Sequence, residues 1–319
     1  MKKIVVFHSP TLGVRGSENA LADYAEFNET LLGNRSILAV PEQPGIGENP
    51  TFRRWRSRFP VLRYRGRCDF SQKLRQHGAE VLYTIKPGHW DGWPLPDVKN
   101  CIHAMYHSDE FHGDAFAFVS AWLSREATGQ EDSYVPHFLR RFESKQDFRR
   151  ELGIPTGARV FGRHGGVESF NISFVRRAIV RHARRHPEDH FVFLNTLPLE
   201  ESEQLTNVHY LPATIDPALK GKFLATCDAM IHGQWHGETF GMAPGEFAVL
   251  GKPVLTFAGA RVRAHLEMLG GAAVLYRNER ELTELLKSFK PNRVRAEGYE
   301  KFADPGQVMD LFAQRFLAG

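Results

Sequence analysis

Gly233-Gln234-Trp235-His236-Gly237-Glu238-Thr239-Phe240-Gly241-Met242-Ala243-Pro244-Gly245-Glu246 is the stretch that decides how this chain is read. Apolar segments flank it, Ala229 to Ile231 before and Pro253 to Phe257 after. The order is therefore strand, glycine-rich loop, helix, strand. In open α/β sheets such loops stand at the carboxyl ends of the strands, where ligands bind. Glu238 and Glu246 are eight positions apart, just over two helical turns, which lets both carboxylates look toward one ligand edge. The amides of Thr239, Phe240 and Gly241 sit near a helix N-terminus, where an anion is favoured. Carboxylates for hydroxyls beside amides for phosphate point to a sugar nucleotide.

Outward from that stretch, strands and amphipathic segments alternate. Ile4 to Phe7 leads into a loop holding Gly13 and Gly16, then Leu21, Tyr24, Ala25, Asn28 and Leu31 follow helical spacing up to Gly33. Ser36–Val40, Val81–Ile85, Cys101–Met105 and Ala117–Ser120 are further strand candidates, and Asp69 is the expected cap of a helix that stops at Gly78. The pattern restarts at Val160-Phe161. A helix over about 171–186, strands at Phe191–Leu194 and Val208–Leu211, helices over 217–226 and 279–288, and the strand Val274-Leu275 follow. Such alternation implies mostly parallel sheets covered on both faces. The chain has 319 residues, room for two domains of about 150 each. The charged stretch from Pro136 to Thr156 places the boundary near 150. The expectation is an α/β chain of two Rossmann-like domains, 1–150 and 151–319, facing across a cleft. A last amphipathic helix over about 305–318 would pack back on the first domain.

Composition narrows the classes. No apolar run approaches the roughly 20 residues that span a bilayer, and Ile4 to Phe7 is too short for a signal peptide. Cys68, Cys101 and Cys227 are odd in number and fit no metal pattern. They read as buried thiols in a reducing cytoplasm. His232-x-x-x-His236 has zinc spacing, but no Glu follows His232, so no metal is expected.

Gly-Glu-Thr-Phe-Gly at 237–241, with a second glutamate eight on, resembles the signature of the retaining family 4 glycosyltransferases, which have the GT-B fold. The loop Thr11-Leu12-Gly13-Val14-Arg15-Gly16-Ser17, the strand end Val160-Phe161-Gly162-Arg163 and the strand Cys227 to His232 resemble that family in order. The resemblance is most specific from about 207 to 257. It implies that Glu238 touches the donor sugar's hydroxyls near the reacting carbon and that Glu246 accepts from the ribose. Amides at Phe240 and Gly241 would hold the diphosphate, Arg163 would neutralise it as it leaves, and Gly13 would let backbone approach it. A histidine ending a strand of the first domain would lie near the reaction centre, with His103 and His107 as the two candidates. The family's further diphosphate lysine is missing from His164-Gly165-Gly166-Val167-Glu168-Ser169-Phe170-Asn171. Either His164, Lys222 or a nearby arginine replaces it, or the amides of Gly165 and Gly166 carry more, or the donor differs or activity is lost. No cofactor and no metal is implied, and no Asp-x-Asp triplet occurs.

Two segments bear on the acceptor. Arg53 to Arg67 holds seven arginines (Arg53, Arg54 and Arg56 among them) interleaved with Trp55, Phe59, Leu62 and Tyr64, and no acid. It reads as a solvated basic face, as a contact for an anionic membrane or lipid-linked acceptor, or as a DNA contact. The loop from Lys86 to Trp93, with Trp90 and Trp93, either stacks on an acceptor or packs a cleft wall. The expected activity is metal-independent, retaining transfer from a nucleotide-diphosphate sugar to a glycan or lipid-linked hydroxyl, in the cytoplasm or at a membrane surface. The rivals are a transferase acting on DNA or another polyanion, a nucleic-acid-binding protein with a vestigial cleft, and an epimerase or phosphorylase of the same fold.

Overall fold

The structure, a computed structural model, describes residues 2–13 and 16–318, so Val14 and Arg15 of the N-terminal glycine loop lie outside the described residues. The chain forms two compact units, Met1–Phe138 with Asp304–Gly319, and Leu139–Ala303.

The first unit runs β1 (Ile4–His8), α1 (Gly16–Thr30), β2 (Arg35–Pro41), α2 (Pro50–Arg58), β3 (Val61–Tyr64), α3 (Arg67–Gln76), β4 (Val81–Lys86), β5 (Lys99–Ala104), β6 (Ala115–Phe118) and α4 (Ala121–Thr128). Its six strands are all parallel, in the order β3-β2-β1-β4-β5-β6. Helices cover both faces of such a sheet, so its strands read as near-continuous apolar runs. All six residues of β4 are buried.

The second unit runs β7 (Val160–Arg163), α5 (Ser173–Arg185), β8 (His190–Leu194), β9 (Val208–Leu211), α6 (Pro217–Thr226), β10 (Ala229–His232), β11 (Gly237–Glu238), α7 (Met242–Ala248), β12 (Val254–Phe257), β13 (Val262–Arg263), α8 (Ala264–Leu269), β14 (Ala273–Tyr276), α9 (Glu279–Ser288) and α10 (Glu297–Glu300). Its main sheet is again six parallel strands, β14-β12-β10-β7-β8-β9. Counted from the first strand of each unit, the first sheet follows 3-2-1-4-5-6, the doubly wound order, and the second sheet reverses direction about its first strand in the same way. The last element, α11 (Pro305–Phe312), continues into a π-helical turn and belongs to the first unit. There Phe312 stacks on Phe7 and Tyr24, and Cys101 donates to the Phe316 carbonyl.

The units change at 138/139, ahead of the expected boundary near 150. The charged segment is fastened to the second unit: Arg141 donates to the Val249 carbonyl at 2.7 Å, and Phe148 N to Thr226 Oγ1 at 2.8 Å. Asp69 does not cap α3, whose N-cap is Gly66. It sits in the first turn, where it accepts from Arg65 N and pairs with Lys73. Cys101 and Cys227 are buried, as expected, but Cys68 is exposed. Among the described residues no helix is long and apolar enough to cross a membrane.

The arginine-rich segment, expected as one basic surface, is α2 followed by β3. Asn49 caps α2, accepting from Thr51 N and Phe52 N, and Pro50 stands at its first position. Phe52 and Trp55 face inward, and Trp55 is buried, so it packs the unit rather than touching an acceptor or membrane. Arg53 and Arg56 face solvent, while Arg54 is half-buried and donates to Asn19.

Candidate functional site

In the second sheet β7 and β10 are neighbours, and the chain leaves β7 toward β8 on one side and passes from β10 to β12 on the other. The crevice beyond the carboxyl ends of two such strands is where doubly wound sheets take ligands. Both glutamates of the motif attach there. His232, which ends β10, places Nε2 3.2 Å from Glu238 Oε1. His164, which follows β7, places Nε2 3.0 Å from Glu246 Oε2.

The loop between β10 and α7 is shaped by two glycines. Gly237 has φ +83°, and a Cβ there would lie 2.0 Å from the Val262 carbonyl oxygen. Only glycine permits β11 to pair with β13. Gly241, at φ +83° before α7, has no room either: a Cβ would meet the Tyr299 hydroxyl at 2.9 Å and Glu238 Cβ at 3.2 Å. Tyr299 is buried and donates toward the carbonyls of Phe240 and Gly241. Because a trans peptide sets N–H opposite C=O, the amides of Gly241 and Met242 are aimed away from Tyr299. Glu238 lies in the short strand β11 and not on the helix that carries Glu246. Their convergence therefore comes from the loop, not from helical spacing.

Glu246 is 2% exposed, and Lys220 Nζ stands 2.6 Å from its Oε1. Burial pushes this carboxyl upward. Lys220 and then His164 outweigh burial, and its pKa ends below the usual carboxylate value. Burial holds His164 below the ordinary imidazole value, with Glu246 opposing. The His164 contact has ion-pair distance but not hydrogen-bonding alignment.

Arg163 ends β7 with its side chain buried. Its terminal nitrogens donate to the Asn195 carbonyl (3.1 Å), Thr196 Oγ1 (2.6 Å), the Gly166 carbonyl (2.6 Å) and Ser169 Oγ (2.6 Å). Burial pulls the guanidinium down to about 10, and Glu238 opposes that fall. The expectation that it faces a leaving diphosphate is corrected: all four terminal N–H groups are committed to shaping the loop from Gly165 to Ser169. Asn195 Nδ2 holds the Gly165 carbonyl at 3.0 Å in the same loop. That loop is tied to the motif, since Asn171 N donates to the Gly233 carbonyl and Trp235 N to Asn171 Oδ1.

Lys222, a candidate for the missing diphosphate lysine, is engaged by Glu151 and lies over the Phe148 ring. Lys220, two residues earlier on α6, is the lysine beside Glu246. The sequence held one signal for it: on a helix starting at Pro217, positions 220 and 222 face different ways.

The remaining expected residues belong to the first unit. His103 is fully buried, with Nδ1 2.6 Å from the Tyr83 hydroxyl and Nε2 2.8 Å from the Val135 carbonyl. Burial lowers it to about 4, so it is a core histidine and not a reaction-centre group. His107 is exposed in the loop after β5. Gly13, expected to let backbone approach the diphosphate, donates its N–H to Glu18 Oε1 at 3.1 Å. Lys86 is buried against Asp91 at 2.7 Å and so braces its own loop. Trp93 packs against His8 and Tyr64, whereas Trp90 is 58% exposed. Among the described residues no group of three or more His, Cys, Asp or Glu is placed to hold a metal.

No protein-family model and no curated protein matches the chain. Solved structures do. WaaG, a glycosyltransferase involved in lipopolysaccharide biosynthesis, matches with a TM-score of 0.67 at 12% identity, covering 99% of this chain and 100% of that one. Anabaena HepE in complex with UDP-glucose matches at 0.65 and 14% identity, covering 98% and 95%. UDP-GlcNAc 2-epimerase from Neisseria meningitidis, bound to UDP-GlcNAc, matches at 0.54 and 12%, covering 99% and 100%. At these identities the likeness establishes architecture: two doubly wound parallel sheets in one chain, the GT-B fold.

Proposed function

We propose that the protein is a glycosyltransferase that moves a sugar from a nucleotide-diphosphate sugar to a hydroxyl, with retention at the anomeric carbon and without a metal ion. The observation that carries this is the attachment of Glu238 and Glu246 to the ends of the two switch-point strands. Glu246, buried and charge-balanced, suits a ribose diol, whose two hydroxyls would donate to it. Glu238, partly exposed, suits hydroxyls of the donor sugar. The diphosphate would lie at the amides of Gly241 and Met242, with Lys220 as the added cation in place of the absent lysine. These groups are preset where charge develops as the glycosidic bond to the diphosphate breaks. The acceptor hydroxyl then attacks from the same face and passes its proton to the departing phosphate oxygen. UDP-sugars in the complexes of HepE and the Neisseria epimerase make a uridine donor the first to test.

The acceptor is a glycan or lipid-linked hydroxyl in this reading. The exposed Arg53, Arg56 and Trp90 are its candidate contacts, at an anionic membrane surface on the cytoplasmic side. The test is thermal unfolding with a panel of nucleotides and nucleotide sugars, no metal added, for the wild type and Glu246→Ala. A ligand that binds only the folded state raises the midpoint by mass action. A shift with one nucleoside diphosphate that the variant loses is expected. No shift with any would overturn the reading, and conversion of UDP-GlcNAc to its 2-epimer without transfer would make it an epimerase.

A further inference from the structure

Behind Glu238 the polar groups close a ring. Glu238 N–H donates to His265 Nδ1 at 3.3 Å, and His265 Nε2 lies 3.3 Å from Thr256 Oγ1. Thr256 Oγ1 lies 2.9 Å from His232 Nδ1, and His232 Nε2 returns to Glu238 Oε1 at 3.2 Å. Thr256 and His232 are register partners on β12 and β10, and His265 is on α8. All three side chains are buried. The His232 carbonyl is itself fixed by the Tyr276 hydroxyl at 2.7 Å.

With both rings neutral, a single order of protons satisfies all four contacts. A backbone amide only donates, so His265 Nδ1 is a bare acceptor. Neutral His265 then carries its hydrogen on Nε2 and gives it to Thr256 Oγ1. The single hydroxyl hydrogen of Thr256 goes on to His232 Nδ1. His232 therefore keeps its hydrogen on Nε2, aimed at the carboxylate. Burial, and next the neighbouring His232, hold His265 well below the ordinary imidazole range, in keeping with a neutral ring. One fixed N–H thus sets two tautomers and one hydroxyl rotor.

We infer that His265, Thr256 and His232 are a positioning relay that holds Glu238 Oε1 in one hydrogen bond and leaves Oε2 to receive a donor-sugar hydroxyl. The inference rests on the reading of Glu238 given above. None of the three touches substrate; they act through the carboxylate. A pair of histidines that merely filled the core would have no need to end on a partly exposed carboxylate.

The experiment is nitrogen-15 NMR of the histidine rings in the ligand-free protein, paired with thermal shifts by UDP and UDP-glucose. Both rings are expected as the Nε2–H tautomer at neutral pH. Thr256→Val removes the hydroxyl but keeps the shape, and is expected to release His232 into exchange between tautomers. It should lower kcat about tenfold, the size of one oriented hydrogen bond. It should weaken the UDP-glucose shift while sparing the UDP shift, and Thr256→Ser should restore all three readouts. Hydrogen on His265 Nδ1 in the wild type would overturn the relay, even if a variant failed to fold. An unchanged His232 spectrum in Thr256→Val would also overturn it. The expected tautomers without binding of any nucleotide would refute the sugar-transfer reading, and with it the relay's role toward a donor sugar, while leaving the hydrogen-bonded ring itself intact.

Discussion

Lys220→Met tests the charge balance on which Glu246, the carboxylate proposed for the ribose, depends. The substitution keeps the aliphatic stem near Phe142, where the ammonium now sits 4.6 Å from the ring centroid, but removes the charge 2.6 Å from Glu246 Oε1. Removing one partner of a buried ion pair costs about 3–5 kcal/mol, because the other charge is stranded. Lys220 is 21% exposed along its side chain, so solvent screening reduces the cost at neutral pH to roughly 2–3 kcal/mol. The sign with pH follows. The folded-state pKa of Glu246 is depressed, so its contribution is present above its unfolded value and lost as pH falls through the folded one. The penalty of Lys220→Met is therefore largest at neutral pH and above, and shrinks in acid as His164 or Glu246 gains a proton. The two units need not unfold together, so the assay is urea-dependent hydrogen exchange read on peptides from α6 through α7. A double-mutant cycle with Glu246→Gln should return a coupling of about 2 kcal/mol. Equal costs of Lys220→Met in the wild type and in the Glu246→Gln background would refute the reasoning.

Three further outcomes are expected. Gly237→Ala should cost at least about 2 kcal/mol in the second unit, since it combines a left-handed φ with a clash on the Val262 carbonyl; exchange in β11 and β13 should rise while the first unit is unchanged. Burial lowers His8 to about 3 and His103 to about 4 from 6.5. Their contribution is intact above pH 6.5 and lost below it, at roughly 2 kcal/mol each by about pH 5; first-unit unfolding that binds no protons over that range would contradict it. Tyr299→Phe removes the donor to two carbonyls of the motif loop and should cost about 1–2 kcal/mol, with faster exchange at residues 239–243.

What could be read in the sequence, and what could not, divides on physical grounds. Strands buried on both faces announce themselves as apolar runs, so β1, β2, β4 and β8 were legible. The glycine-rich loop after β10 was legible because its glycines meet steric demands that no other residue satisfies, as at 237 and 241. The segment from Arg53 to Arg67 misled because composition drew attention away from position. Asn49-Pro50 is a helix start, and Phe52 and Trp55 are three apart on one face. His103 and Arg163 misled for a different reason. Each is the residue type a site would use at a strand's carboxyl end, but whether the side chain opens to a ligand or is consumed by carbonyls depends on chain brought in from far away. Val135 decides this for His103, and Asn195 for Arg163. Lys220 and the Thr256–His265 pair stand apart from the motif in sequence and join it only through the sheet.

The two sheets share one kind of wiring, which allows a comparison that fold alone does not. In the first unit the switch point lies at β1 and β4. There His8 ends β1 with Nε2 2.6 Å from the Tyr64 hydroxyl and Nδ1 3.2 Å from Thr84 Oγ1. Tyr64, Phe70 and Trp93 pack around the ring, and Lys86, at the end of β4, is neutralised by Asp91. These polar groups are paired inside the unit and roofed by aromatic rings. At β7 and β10 the same position carries Glu238, partly open to solvent, and Glu246, buried at a cost that Lys220 and His164 offset. Buried charge of this kind costs stability relative to an apolar fill. Since one wiring accommodates both fills, the sheet does not require the charged one. The chemistry of the crevice, not the sheet beneath it, is the ground on which a donor nucleotide is proposed for the second unit.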